Sequence, residues 1–231
     1  MDGAVIYFKL NGNSNDSSGN GFNGTDTTIT YTNSGKMGGA AQFNDSVDNK
    51  SKIDYGKGTI RDNIVHLTVM AWVYIHSFVT STGGNRRLYT KGLANAGQDI
   101  YLNSAGNMTF VRGWTGNNGR WRSSTNLSLN TWTHIALVYD GSATGNIPTW
   151  YINGKADTTT TSTSPTIALD DDSTITGQVG NINGYDRGFD GIIDEFVMYN
   201  NDATGVVAPK TAAEIKAYYD RTKQKYNTQV I

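Results

Sequence analysis

The 231-residue chain carries 19 basic and 20 acidic side chains, a formal net charge of −1, and only 17% charged residues. A balance this close to neutral argues against nucleic acid or an anionic membrane surface as partner, and the absence of cysteine excludes disulfides and thiolate metal sites. The length fits one large β domain with a core of its own as well as two small ones.

The opening residues, MDGAVIYFKL, have no basic segment followed by a long apolar run, so they do not read as a secretory signal. No window approaches the ~18 apolar residues of a membrane span. Residues 4–10 alternate as a first strand. Residues 11–25, NGNSNDSSGNGFNGT, are turn formers. Residues 27–31 read as a short strand, 38–43 as a close-packed one, and 45–63 as polar loop. Residues 67–75, LTVMAWVYI, form the strongest strand, with Leu67, Val69, Ala71, Val73 and Ile75 on a core face and Thr68, Met70, Trp72 and Tyr74 on the other. Short strands follow at 88–90, 100–103 and 108–112, with a turn at 104–107. Trp121 lies on another short segment, and 132–140 and 149–152 are strands.

The stretch 176–200, TGQVGNINGYDRGFDGIIDEFVMYN, joins a short strand to a long one through a Gly/Asn/Asp loop. Its second strand is apolar on both faces except at Asp194 and Glu195. Strand neighbours point to opposite faces, so one carboxylate heads inward and needs a cation or several donors. Only residues 211–226 change period. Thr211-x-x-Glu214 is a capping box, and Ala212, Ile215, Tyr219, Thr222 and Tyr226 mark one helical face. The expected fold is all-β: a two-sheet antiparallel β-sandwich over 1–208 with one C-terminal α-helix, 209–231, packed on the same domain.

These residues resemble the laminin-G-like, concanavalin A-like jelly-roll superfamily. The resemblance is carried by Asp16–Gly21 with Asn23-Gly24-Thr25, by Gly39–Phe43, by Leu67–Val73, by Trp132–Ala136 with Tyr151–Lys155, and by Phe189-Asp190-Gly191 with Ile193–Phe196. It implies two packed antiparallel sheets, and no single function, since the superfamily holds glycan binders, polysaccharide-cleaving enzymes and structural modules.

Jelly-roll glycosidases of that superfamily resemble one another in carrying two catalytic glutamates on one strand, because one group protonates the leaving oxygen while the other attacks or activates water. This chain has two glutamates in all, Glu195 on the closing strand and Glu214 in the capping box. They cannot form that pair, so the chain is not expected to be an enzyme. Asp170-Asp171-Asp172 reads as a solvated loop tip and His134 as a hydrogen-bonded core or cleft residue. No clustered histidine spacing suggests zinc, and no Gly-x-Ser-x-Gly occurs. The resemblance also implies a structural Ca2+ tying the N-terminal loop to the closing strand, through Asp16 or Asn23 and Asp194. Against it stands a simpler role for these residues, Asp16 closing its own turn and Asp194 bonding backbone amides.

The binding reading rests on aromatics and arginines. Trp72 is either core or part of a binding sheet face, and so is Trp114. Trp121, between Arg120 and Arg122, is hard to bury and is read as the leading contact, with Tyr185 and Arg187 at the rim. The expected function is a non-catalytic, lectin-like carbohydrate-binding or adhesion module with a cell-surface polysaccharide as partner. It is placed outside the cell or on a phage virion surface, where capsid or tail proteins are further partners. A capsid decoration protein without glycan binding and a divergent polysaccharide-active enzyme are the alternatives.

Overall fold

The computed structural model describes residues 3–44, 50–79, 84–92, 97–182, 187–200 and 208–224. In chain order the strands are β1 (Ile6–Phe8), β2 (Thr25–Thr27), β3 (Thr30–Thr32), β4 (Ala40–Phe43), β5 (Lys52–Gly56), β6 (His66–Ile75), β7 (Arg86–Lys91) and β8 (Gln98–Leu102). There follow β9 (Asn107–Arg112), β10 (Gly119–Asn126), β11 (Thr133–Asp140), β12 (Thr149–Ile152), β13 (Lys155–Asp157), β14 (Thr159–Thr163), β15 (Gly177–Val179) and β16 (Gly191–Asn200), then helix α1 (Ala212–Thr222).

They form two eight-stranded antiparallel sheets. Sheet A runs β13-β12-β11-β6-β16-β4-β3, with β1 also on β16, and sheet B runs β14-β10-β9-β8-β7-β15-β5-β2. The expected sandwich with a C-terminal helix is the observed one. Between the sheets lies one apolar core that includes Leu67, Val69, Ala71, Val73 and Ile75 of β6, as their alternation predicts. Two boundaries differ from the sequence reading. The single strand expected at 27–31 is two strands in different sheets, because the chain crosses over at Thr28, which has φ 47. The expected loop at 45–63 contains β5, whose Ile53 and Tyr55 are buried while Lys52 and Asp54 are not.

The outer face of sheet A is covered by α1. Ile215 and Tyr218 pack on Met70, Ala136, Tyr151, Val197 and Tyr199. Trp72 Nε1 donates to Thr222 Oγ1 at 3.0 Å, and the Trp72 and Tyr219 rings stack at 5.7 Å. Thr211 and Glu214 form the reciprocal capping box that the sequence spelled. His134 lies under the same helix against Trp72, Tyr218 and Tyr219. It is core as expected but not hydrogen-bonded. Neither ring nitrogen has a partner among the described residues, and burial pushes its pKa down to about 3, so it sits there neutral.

The acidic pair of β16 is accommodated by a bulge. Register shifts between Asp194 and Val197, and Glu195 takes φ 54. The extra residue breaks strict alternation. Ile193, Phe196 and Met198 therefore line the sandwich core, while Val197 and Tyr199 join the layer beneath the helix. Both carboxylates are buried, so neither was spared desolvation. Glu195 Oε2 accepts from the hydroxyls of Tyr7 and of Tyr218 (3.2 Å), and Asp194 Oδ2 accepts from Met37 N at 2.7 Å.

Candidate functional site

Polar groups without partners collect on the outer face of sheet B. Along β8, Gln98, Ile100 and Leu102 point into the sandwich, so Asp99 and Tyr101 point out. Register carries that outward set across the sheet. Arg87 stands opposite Tyr101, Tyr101 opposite Thr109, and Thr109 opposite Arg122, while Asp99 is opposite Val111 and Val111 opposite Arg120. The floor is buried, with Asp99 3%, Thr109 0% and Arg87 8% exposed, whereas Arg120 and Arg122 are exposed and Arg187 is half-buried.

Arg87 Nε lies 3.0 Å from Asp99 Oδ2, and its guanidinium sits over the Tyr101 ring, 4.5 Å from the centroid. Asp99 Oδ1, Arg87 Nη1 and Thr109 Oγ1 have no hydrogen-bond partner among the described residues. Buried polar atoms left unmade are costly and call for a water or a ligand. Burial pushes the Asp99 carboxyl up to about 7, against the pull of Arg87, Arg187 and Arg120. The face thus presents an acceptor, several donors and the edge of an aromatic ring, a set suited to hydroxyl-rich ligands.

Of the residues expected to bind, Arg120, Arg122 and Arg187 belong to this face, and the tryptophans do not. Trp121 is a correction. The alternation through Arg120-Trp121-Arg122 holds, but it is the indole that turns inward, 1% exposed, against Phe110 (5.8 Å) and Tyr139 (5.1 Å). Trp114 is likewise core at 4% exposure, and Trp72 lies on the other sheet beneath α1. Tyr185 lies outside the described residues. Asp99, Tyr101 and Thr109 were missed, although the alternation in QDIYL separates Asp99 and Tyr101 from an apolar partner set.

The residues expected to hold calcium do not form a ligand set. Asp16 Oδ1 accepts from Tyr7 N (3.0 Å) and Ser18 N (2.9 Å), and Oδ2 from Ser18 Oγ (2.7 Å) and Phe22 N (3.0 Å). Asn23 Oδ1 accepts from Asp16 N at 2.9 Å. Donors therefore occupy both oxygens of Asp16, while Asp194 Oδ2 accepts from Met37 N and its Oδ1 is buried with no hydrogen-bond partner among the described residues. Among the described residues no group of three or more His, Asp or Glu is placed to hold a metal.

Asp194 gives a clean pH prediction. Burial raises its carboxyl to about 7, with the Glu195 charge adding to the effect. A folded-state pKa above the unfolded value of 3.8 contributes stability that is complete below 3.8 and is lost as pH rises through 7. Asp194→Asn removes that dependence. Measured by urea unfolding, the variant is expected to gain on the order of 2 kcal/mol over the parent between pH 5 and pH 8. Parallel pH profiles would contradict the assignment.

A concavity of about 220 Å³ beside α1 is lined by Met70, Tyr199, Lys210, Glu214 and Tyr218. Lys210 Nζ lies 2.9 Å from Glu214 Oε1, and Arg221, which also lines it, sits over the Tyr218 ring, so its charged groups are already engaged within the wall. Neither glutamate of the chain stands on that face. Among the described residues no helix is long and apolar enough to cross a membrane.

A family model described as the concanavalin A-like lectin/glucanases superfamily, of the laminin-G type, matches residues 48–205. The chain belongs to this superfamily. No curated protein sequence matches it. Among solved structures it is similar to domain 4 of AbnA, an extracellular arabinanase from Geobacillus stearothermophilus in complex with arabinotriose. That match has 24% identity and a TM-score of 0.61, covering 93% of this chain and 97% of that one. It is also similar to the binding domain of Paraclostridial Mosquitocidal Protein 1, with 17% identity and a TM-score of 0.68, over 90% of this chain and 49% of that one. The botulinum neurotoxin type G receptor-binding domain follows at 14% identity and a TM-score of 0.65, over 96% and 51%. The chain thus spans about half the length of these two toxin domains. At such identities the likeness describes the fold.

Proposed function

We propose that this chain is a non-catalytic glycan-binding module whose contact surface is the outer face of sheet B, centred on Asp99. The observation that carries the reading is the cluster of buried polar atoms without partners on adjacent strands, Arg87 Nη1, Asp99 Oδ1 and Thr109 Oγ1. A sugar hydroxyl both donates and accepts, so it is chemically complementary to acceptor and donors alike. The arabinanase domain, a neighbour of matching length in complex with arabinotriose, supports the reading.

Catalysis is disfavoured by composition of the face itself. Glycoside hydrolysis needs two carboxyl groups about 5–10 Å apart across the bond. Strands β7, β8, β9, β10 and β14 contain one carboxylate between them, Asp99. The Thr/Asn/Gly-rich, charge-poor composition supports display outside a cell or on a virus particle.

Calorimetric titration with a panel of oligosaccharides that includes arabinotriose tests the proposal. Asp99→Asn and the isosteric Thr109→Val are each expected to lower affinity about 10- to 100-fold, the loss of a hydrogen bond to a charged or buried group. The melting temperature of Thr109→Val should stay close to the parent's, whereas Asp99→Asn takes the carboxylate from buried Arg87 and should lower it, so its affinity is measured well below its own transition. Absence of binding across the panel, or binding that both variants leave intact, would overturn the reading.

A further inference from the structure

Resting on that reading, we infer that the glycan taken by this face is anionic, with carboxylate or sulfate groups that Arg120, Arg122 and Arg187 engage. The chain as a whole has a net charge of −1, yet this part of the face gathers the guanidiniums of Arg87, Arg120, Arg122 and Arg187 around one carboxylate among the described residues, Asp99, the next in register, Asp54, standing three strands away on β5. One of the four, Arg87, is already paired with Asp99 at 3.0 Å. The other three make no ion pair or hydrogen bond among the described residues. Asp99 feels Arg187 and Arg120 through space, but cannot neutralise a second and third cation beyond ion-pair reach.

Position supports the same conclusion. Arg120 and Arg122 are two apart on β10, so both project from one side of the strand, about 6–7 Å apart at their Cα atoms. Both are exposed while the intervening Trp121 is anchored in the core, which fixes the strand beneath them. A guanidinium presents a planar fork of donors matched to the two oxygens of a carboxylate or the three of a sulfate. The floor beneath is built for hydroxyls, since Asp99 Oδ1 accepts and Thr109 Oγ1 and Arg87 Nη1 donate. An acidic sugar carries both kinds of group. Single-stranded nucleic acid fits less well, because it needs exposed rings for base stacking. The aromatic side chain of this face, Tyr101, is 8% exposed and already covered by Arg87.

The test uses the full chain and four probes: an oligogalacturonate, a chondroitin sulfate oligosaccharide, a neutral arabino-oligosaccharide and a short single-stranded DNA. Each is titrated into the parent, the double variant Arg120→Ala/Arg122→Ala, and Asp99→Asn. One or both acidic glycans should bind at least tenfold tighter than the neutral one. The preference should weaken at higher salt and vanish in the double variant, whose melting temperature is unchanged because both side chains are exposed. Which acidic probe wins tells carboxylate from sulfate. If the neutral glycan binds as well as the acidic ones and only Asp99→Asn abolishes binding, the anionic inference fails while the glycan reading stands. If no glycan binds, both fail. Equal binding of DNA through the same arginines would reduce the face to a non-selective basic patch and also overturn the inference.

Discussion

Replacing Trp121 by alanine is expected to destabilise the protein by roughly 3–5 kcal/mol, while Arg120→Ala, one residue away, costs little. The indole is 1% exposed and its ring contacts Phe110 and Tyr139, which themselves meet edge to face at 5.3 Å. Truncation leaves a cavity that these two rigid rings cannot fill. The site is also intolerant from its neighbour's side. A Cβ on Gly119 would come within 2.0 Å of the indole, so the strand approaches the ring as closely as glycine allows. Urea unfolding of the two single variants checks the contrast. In glycan titrations the pattern should invert, with Arg120→Ala weakened and the folded fraction of Trp121→Ala retaining affinity. A Trp121→Ala variant of parental stability would mean that the ring is not core.

That contrast locates what the sequence made legible. Period-two alternation identified the strands and showed that Trp121 and its flanking arginines face opposite ways. It could not say which way was in, because a lone aromatic between two cations carries no apolar neighbours to vote with it. The register of β10 against β9 decides the matter, setting Trp121 beside core Phe110 and Arg122 beside Thr109. The same holds for β6. Its second face looked like a binding surface because Trp72, Met70 and Tyr74 are large, and α1 was expected to pack somewhere, but which face it covers is a tertiary fact.

The bulge at Glu195 was illegible for a different reason. Strict alternation was assumed through 192–199, and one extra residue reassigns every side chain after it. Asp99 could have been found, since it interrupts an alternating strand as Asp194 does. Strand β14, TTTST, offered no apolar alternation at all. It is an edge strand held by its ladder to β10 rather than by burial.

Asp172 was read as a solvated loop tip together with Asp170 and Asp171, and only Asp171 is fully exposed. Asp172 is instead 0% exposed and plugs one end of the sandwich. Lys91, Gln98 and Arg112 stand opposite one another on β7, β8 and β9, and all three point inward. Asp172 Oδ1 meets Lys91 Nζ at 2.9 Å, and Oδ2 meets Arg112 Nη1 at 3.0 Å and Gln98 Nε2 at 3.3 Å. Asn63 N donates to Oδ1 at 2.7 Å, while Asp172 N donates to Asn63 Oδ1 at 2.8 Å. Burial alone would raise this carboxyl's pKa, but Arg112, the Asn63 amide and Lys91 outweigh it and hold it below the usual range. The stability it contributes is therefore present above the unfolded value of 3.8 and is lost as pH falls below it.

Asp172→Asn keeps the shape and removes the charge, leaving Arg112, 1% exposed, without its carboxylate and Lys91 with one carboxylate, Asp62 at 2.7 Å, besides the carbonyl of residue 172 at 2.6 Å. Removing one member of a buried ion network costs about 3–5 kcal/mol, chiefly the desolvation of the cations left behind. The diagnostic companion is a variant with Lys91, Arg112 and Asp172 all replaced by apolar residues of similar volume, made together with Asp62→Asn because Asp62 loses Lys91, which leaves no charge of the network unpaired. It should recover most of the loss, because an ion network of this kind contributes little net stability beyond a well-packed apolar one. Urea midpoints at pH 7 rank the parent and the apolar variant close together and Asp172→Asn far below. An Asp172→Asn variant as stable as the parent would show that Lys91 and Arg112 do not depend on this carboxylate.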